Sequence, residues 1–313
     1  MFSEKLDILA LGEGLIELSC ESSLACSDKY FKYYGGDSLA TSIAAKRLGS
    51  KVGYITKVGK DYFKDYLIKT WENEGLNIDN VSFSDDYNGL YLLGMSGDFG
   101  KEFSYYRKKT AATKLNLDDI SDDYIKNTKC FYTTGITQSL SLSVREVVKY
   151  IYETSKKNAV ITAYDPNFSP LIVSKDEAKE FFDEISPNLD ILFMNDNNDM
   201  FKLFDFESVD KCIKYFWDMG IGTVIIKSRQ QGGYYTGYAG DIVFTKMLNL
   251  TEIVDTTSSG DAFNGGFLHA ITSGFTTVKA TQLASIVAAL QAGGLGAIRS
   301  IPYRDEVYTK LEN

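Results

Sequence analysis

Short apolar runs alternate along this chain with longer segments in which apolar residues recur every three or four positions. LDILALG (6–12) has the length and character of a strand. SLATSIAAKRLG (38–49) carries apolar residues at helical spacing and ends on Gly49, a helix stop. KVGYITKVG (51–59) reads as a strand, and DYFKDYLIKTWENEG (61–75) as a helix closed by Gly75. CFYTT (130–134), a helix near 142–157 and AVITAYD (159–165) repeat the theme. DILFMN (190–195), a helix near 207–219 and GTVIIKS (222–228) repeat it again. Strands alternating with helices predict an α/β chain with a mainly parallel sheet covered on both faces.

Two stretches break the alternation. GLYLLGMSGDFGKEFSYYRK reads as two strands joined by a glycine-containing turn, with no helix between them, and ELSCESSLACSDKYFKYY is similar. Residues 13–34 and 81–108 are therefore expected to form a small β-appendage inserted among the early βα units. No low-complexity linker and no internal repeat interrupts the chain.

Ligands of open α/β sheets sit beyond the carboxyl ends of the strands, and the conspicuous polar residues fall at such ends. Gly35, Gly36 and Asp37 precede a helix. Asp165 and Asn167 end AVITAYDPN, Asn195 ends DILFMN, Lys227 ends TVIIK, and Asp261 follows the strand-like TEIV (251–254). Each alone reads as a cap or a turn residue. Their coincidence on one predicted edge marks that edge as the candidate site.

Composition narrows the chemistry. A chain of 313 residues can bury a full core, and 44% hydrophobic with 24% charged residues is a soluble globular composition. No apolar run is long enough for a membrane span, and MFSEKLDILALGE carries acids where a signal peptide would not. The formal net charge of −9 argues against a nucleic-acid platform, and an anionic substrate would need local Arg or Lys. Cys20, Cys26, Cys130 and Cys212 show no metal-ligand spacing and read as reduced thiols of a cytoplasmic protein. The single histidine, His269, lies inside a helical apolar pattern and reads as a packed residue, which disfavours Ser-His-Asp, Cys-His and His-ligated zinc chemistry.

GxxxxGK[ST] is absent, and GEGLIE (12–17) has Glu17 where a dinucleotide fingerprint needs its third glycine. What remains is VDTTSSGDAFNGGF (254–267), a small-residue turn at the mouth of an apolar helix. The N–H groups of Ser258, Ser259 and Gly260 would point out of the helix N-terminus as an anion hole. Asp261 in the first turn can accept a proton from an attacking hydroxyl. An anion hole and a base within one turn suit phosphoryl transfer to an alcohol.

This stretch resembles the DTxGAGDxF signature of the PfkB (ribokinase-like) carbohydrate kinases, and the similarity runs the whole length. LALGEGLIELS is similar to the family's opening strand, and YYGGDSLATSIAAKRLG to its GGxxxNxAxxxARLG motif. GEGLIELS, FSYYRKKTAA and DPNFSP resemble segments of the 2-keto-3-deoxygluconate kinase subgroup. The resemblance implies a single kinase domain over 1–313. Its fold would be a ribokinase-like three-layer α/β/α sandwich with a mainly parallel central sheet, and 13–34 with 81–108 would be a β-lid. It implies sugar bound between lid and sheet, ATP with Mg2+ along the strand ends, and a homodimer through the lid. Asp261 would be the base, with Ser258, Ser259 and Gly260 the anion hole. Gly35, Gly36, Asp37, Tyr91, Tyr105, Arg107 and Asn167 would line the sugar site, and Asn195, Lys227, Ser228 and Gly260 the nucleotide site. Asp165 and Asp196 could meet the metal through water, as could Asp199.

The chain departs from the family's pattern at five places. Ser258 and Ser259 stand for a glycine and an alanine, and Ala40 for a sugar-binding asparagine. Ser169 replaces the arginine of DxNxR, Asn198 the glutamate of NxxE, and Arg229 sits in the turn that approaches ATP. Two function classes stay open: an ATP-dependent kinase of a sugar or sugar acid, and a catalytically weak sugar-binding sensor. Within kinases the order is 2-keto-3-deoxygluconate, then fructose or another hexose, then a nucleoside.

Overall fold

A computed structural model describes residues 5–96, 100–248 and 252–312. In chain order, β1 (Leu6–Leu11), β2 (Leu15–Cys20) and β3 (Phe31–Gly35) lead into α1 (Asp37–Arg47). Then come β4 (Val52–Gly59), α2 (Lys64–Asn73), β5 (Val81–Ser84), β6 (Leu90–Ser96) and β7 (Gly100–Tyr106). The short α3 (Asp122–Lys126) precedes β8 (Thr128–Thr134), and α4 (Gly135–Gln138) and α5 (Leu142–Lys157) lead to β9 (Ile161–Asp165). Next are α6 (Lys175–Ile185), β10 (Ile191–Asn195), a π-helix over Asp196–Leu203, α7 (Val209–Asp218) and β11 (Thr223–Ser228). The described chain closes with β12 (Gly233–Tyr238), β13 (Asp241–Lys246), α8 (Ser259–Thr272), α9 (Thr277–Ala292) and α10 (Arg304–Leu311).

The large sheet runs β13-β12-β11-β10-β9-β8-β1-β4-β5. It is parallel from β11 to β5 and ends in the antiparallel hairpin β12–β13. Strand residues alternate between two apolar layers, as a sheet buried on both faces requires. Ile8, Ala10, Tyr132, Phe193 and Ile225 pack with α1, α2, α8 and α9 on one side. Leu9, Leu11, Phe131, Leu192 and Ile226 pack with α5, α6 and α7 on the other. The fold is the three-layer α/β/α sandwich. Among the described residues no helix is long and apolar enough to cross a membrane.

A separate sheet runs β3-β2-β6-β7, with β2 parallel to β6 and the other pairs antiparallel. The expected boundary of this appendage is corrected at residues 81–84. They form β5, which pairs with β4 at the edge of the large sheet, and Val81 is buried in the main core. The crossover from β4 through α2 returns the chain to the same sheet before it departs at β6. The turn expected between β6 and β7 falls on residues 97–99, outside the described residues, as does Thr251. The strand expected at TEIV is absent over 252–254: the N–H groups of Val254 and Asp255 bond to the Ala292 carbonyl, at 2.8 and 3.1 Å, rather than to a neighbouring strand.

Helices α1 and α8 are buried nearly all round and are made of small residues where they meet. A Cβ at Gly265 would stand 2.3 Å from the Thr41 carbonyl oxygen and 2.6 Å from Ala44 Cβ. The Thr41 hydroxyl donates to the Asp261 carbonyl at 3.1 Å, one turn above that contact. The glycine pair of the opening motif is also steric: a Cβ at Gly35 would meet the Tyr91 hydroxyl at 2.4 Å, and one at Gly36, where φ is +134°, would meet the Glu13 carbonyl at 2.3 Å. Gly265→Ala is expected to force the two helices apart and lower stability by about 1–3 kcal/mol, the usual cost of overpacking. Chemical denaturation checks this, and an unchanged midpoint would show that the contact has slack.

Candidate active site

The parallel strands end on one edge, and the first turns of α1 and α8 open there. Ser258 precedes α8 in the left-handed region, at φ 61° and ψ 13°. Ser259 N–H turns back to the Thr256 carbonyl at 3.2 Å. Among the described residues no hydrogen bond engages the N–H groups of Ser258, Gly260 or Asp261. The donors free for an anion are therefore these three, and Ser259, expected among them, is committed to the turn. Gly260 faces the strand edge: a Cβ there would lie 3.5 Å from the Lys227 ammonium.

A hydrogen-bonded set of side chains holds the floor. Lys227 Nζ, on β11, donates to Asp165 Oδ2 at 2.6 Å and to Asn264 Oδ1 at 3.2 Å. Asn264 Nδ2 donates to Asp165 Oδ2 at 2.7 Å and to the Tyr132 hydroxyl at 3.1 Å. Asn167, at φ 44°, gives its N–H to Asp165 Oδ1 at 3.0 Å and its side-chain amide to Asp37 Oδ2 at 3.1 Å. Asp37, Asp165, Asn167, Lys227 and Asp261 thus gather on one edge. Asn264 was not singled out in the sequence. The signal was there: it lies three residues beyond Asp261, on the same helix face, as a polar residue in an apolar run.

Asp261 is the perturbed group. Burial first, and the Asp37 carboxylate second, push its carboxyl up to about 8, with the Lys227 charge opposing. Asp199 is similar: burial and then Asp165 push it up to about 7, against the N–H groups of Asn195 and Phe168. Those two N–H groups meet its oxygens at 2.8 and 2.9 Å, so Asp199 is an inward-turned brace of the strand ends rather than an open metal ligand. Asp196 accepts from the Ser228 hydroxyl at 2.8 Å, which turns both groups toward each other. The Asn195 carboxamide caps the π-helix, accepting from Asn198 N–H at 2.6 Å and donating to Asp199 at 2.5 Å. The amide expected at the nucleotide site thus braces the turn that follows β10. Arg229 is exposed and borders a shallow depression with Asp196, Asn197, Phe201 and Gln230.

The small sheet supplies the facing wall. Tyr91, Phe103 and Tyr105 form a row on one face, with Phe103 and Tyr105 stacked at 6.0 Å between centroids. The Tyr91 hydroxyl donates to Glu17, whose carboxyl is pushed up by burial. Arg107 was expected to line the sugar site. Its Nε and Nη2 both donate to Glu13 Oε2 at 2.8 Å, and the Thr110 hydroxyl donates to Glu13 Oε1 at 3.1 Å. Burial pushes Glu13 up while Arg107 pulls it down. An acid that is 3% exposed needs such a partner, and the sequence concealed the pairing because 94 residues separate the two. Beside this wall a cavity of about 680 Å³ runs past Glu17, Phe31, Tyr33, Asp255 and Arg299.

Ala40 is fully buried in α1, and Ser169 is partly exposed, its carbonyl closing a turn to Ile172 and Val173. His269 lies between Ser50 Oγ at 2.7 Å and the Tyr308 hydroxyl at 3.0 Å, far along α8 from Asp261. Burial, with Arg304 adding, pushes it down to about 4. It is a packed residue. Among the described residues no group of three or more His, Cys, Asp or Glu could hold a metal ion.

The family model described as pfkB family carbohydrate kinase matches residues 6–304. A 5-dehydro-2-deoxygluconokinase of Clostridium beijerinckii is 25% identical over 96% of this chain and 91% of its own. The 2-dehydro-3-deoxygluconokinase structure from Thermotoga maritima superposes with a TM-score of 0.89 at 18% identity, covering 98% of this chain and 100% of that one. A fructokinase from Xylella fastidiosa, solved with bound ATP, gives 0.88 at 18% identity over 98% of both chains.

The raised Asp261 carboxyl has a sign that stability can read. In the native chain it keeps its proton from the ordinary 3.8 up to about 8, where the unfolded chain has lost it. The native state binds more protons in that window, so its stability falls as pH rises through it. Asp261→Asn removes this loss. Its melting temperature, without ligands, is expected to exceed that of the wild type by a margin that grows from about pH 5 to about pH 9. A margin that stays constant in calorimetry across that range would show an Asp261 with an ordinary acidity.

Proposed function

This chain belongs to the pfkB family of carbohydrate kinases, and from that premise we propose that it phosphorylates a hydroxyl of a six-carbon keto-deoxy sugar acid of the 2-keto-3-deoxygluconate class. It is a phosphotransferase acting on a sugar hydroxyl, with ATP as the donor. The observation that carries the catalytic reading is Asp261 in the first turn of α8, with unpaired N–H groups beside it and the Lys227 ammonium across from Gly260. In this reading Asp261, once deprotonated, takes the proton of the sugar hydroxyl as it attacks. The N–H groups of Ser258, Gly260 and Asp261 meet the charge that develops on the transferred phosphoryl group. Lys227, steadied by Asp165 and Asn264, faces the same charge. Asp37 and Asn167 hold sugar hydroxyls on the sheet side, and Tyr91, Tyr105 and Arg107 cover them from the small sheet, which serves as lid to one kinase unit. Mg2+ would arrive on the ATP phosphates, which it neutralises. The residues present suit that mode, because Asp165 is already neutralised by Lys227 and metal contacts of Asp165 or Asp196 would run through water.

The acid-sugar reading rests on Tyr105 and Arg107 at the lid wall and on the names of the two gluconokinase relatives. One observation favours a neutral ketohexose instead: Glu13 already neutralises Arg107, and Asp37 and Asp261 stand nearby. We further propose that two copies pair through the small sheet, whose exposed aromatics include Phe31 and Tyr106, and that the enzyme works in the cytoplasm with its cysteines free. Sedimentation as a monomer at micromolar concentration would remove the pairing.

A coupled ATP assay over neutral sugars and sugar acids tests the function. Asp261→Asn is expected to lower turnover by roughly 10²–10⁴ while sugar and ATP binding change little. Arg107→Ala should lower kcat/KM for the acid sugar by about 10- to 150-fold, the worth of one charged hydrogen bond. Ser169→Arg should tighten that sugar and leave fructose unchanged or weaker. A strong preference for a neutral ketohexose, with Arg107→Ala silent, would transfer the assignment to fructokinase. Sugar binding without turnover in the wild type would favour the sensor.

A further inference from the structure

Lys101 stands near the start of β7, on the small sheet, with a side chain that is 24% exposed. Its ammonium donates to Asp255 Oδ1 and to the Thr257 hydroxyl. Asp255 is 4% exposed and belongs to the other body of the molecule, three residues before Ser258. Its Oδ1 also accepts the Thr257 N–H at 2.8 Å, and its Oδ2 the Gly296 N–H at 3.0 Å. The Thr257 carbonyl in turn accepts Gln291 Nε2 at 2.6 Å. One carboxylate therefore pins the loop that runs straight into the free N–H groups of α8. Against burial, which pushes Asp255 up, Lys101 and these N–H groups hold it below the ordinary carboxylate range.

Two physical consequences meet here. A buried carboxylate left without a cation is costly, and Lys101 is the cation in contact with this one among the described residues. A bare carboxylate three residues from the helix mouth would also repel any anion seated on the Ser258 and Gly260 N–H groups. The group that cancels this repulsion is carried by the small sheet, not by the body that carries the anion hole. We propose that Lys101 is a positioning residue that makes phosphoryl transfer conditional on the small sheet lying down: it delivers the counter-charge that shapes and neutralises the loop before Ser258. The inference rests on the reading of the α8 N-terminus as the phosphoryl site. It adds to that reading a link between the sheet that covers the sugar and the loop that receives the phosphoryl group.

The test is a set of four variants in the full chain, assayed with the best sugar of the panel and ATP: Lys101→Met, Asp255→Asn, the double variant and Asp261→Asn. Lys101→Met keeps the length of the side chain and removes the charge. It is expected to lower kcat by about 10²-fold, the scale of a displaced catalytic group, while the sugar KM stays near its wild-type value. Asp255→Asn in the Lys101→Met background should recover part of that loss, because the uncompensated carboxylate is gone. Calorimetry gives a readout apart from turnover: bound sugar should raise ATP affinity in the wild type, and less so in Lys101→Met. The inference is overturned if Lys101→Met keeps wild-type kcat, if its loss lies wholly in the sugar KM, or if the double variant is as impaired as the two single losses multiplied. Asp261→Asn separates the two levels. Should it retain full turnover, the α8 reading itself fails. Should it be inactive while Lys101→Met is normal, only the role of Lys101 fails.

Discussion

The approach of α1 to α8 is the contact on which the site depends. At Gly265 the two helices are so close that a single methyl group would strike the Thr41 carbonyl. That proximity brings the mouths of both helices to the same strand edge, with Asp37 on one and Asp261 on the other. Two carboxylates sharing a low-dielectric edge disfavour each other's charge. The fold tolerates the arrangement because Asp261 is held protonated, and because Lys227 and Asn264 compensate Asp165 directly below. An arrangement of this kind stores unfavourable electrostatics at the edge proposed as the site of phosphoryl transfer.

The sequence made the sheet legible because its parallel strands are buried on both faces and read as apolar runs between helical segments. It made the edge legible because Asp37, Asp165, Lys227 and Asp261 follow those runs directly. Other features were hidden for physical reasons. Glu13 with Arg107, and Lys101 with Asp255, are pairs made across long stretches of chain, and no local pattern announces them. Val81–Ser84 was assigned to the wrong sheet because a short strand carries no label for its partner. Residues 196–203 wind as a π-helix, in which Asp199 turns into the strand ends. Ser258 stands where the family's pattern has glycine. Its positive φ shows that the position asks for glycine's conformational freedom and that the serine meets it with strain.

Electrostatics differ between the two walls of the cleft. The body contributes Asp37, Asp165 and Asp261 with one close ammonium, Lys227. On the side of the small sheet, Arg107 and Lys101 are each already matched to an acid: Arg107 to Glu13 on its own side, and Lys101 to Asp255 across the cleft. Beyond Lys227, the charge balance across the cleft thus depends on how the two walls are apposed.

The burial of His269 has a consequence for proton traffic. With the only imidazole of the chain held neutral down to about 4, no side chain of ordinary acidity titrates near neutrality by virtue of being a histidine. Among the groups carried into that range are the carboxyls of Asp261 and Asp199, lifted there from below. Such acids respond to their surroundings in the opposite sense to a histidine: a cation brought near drives the proton off, and a dry, closed site holds it on. Through these two carboxyls, acidification would be read as a change in the ionic contents of the cleft.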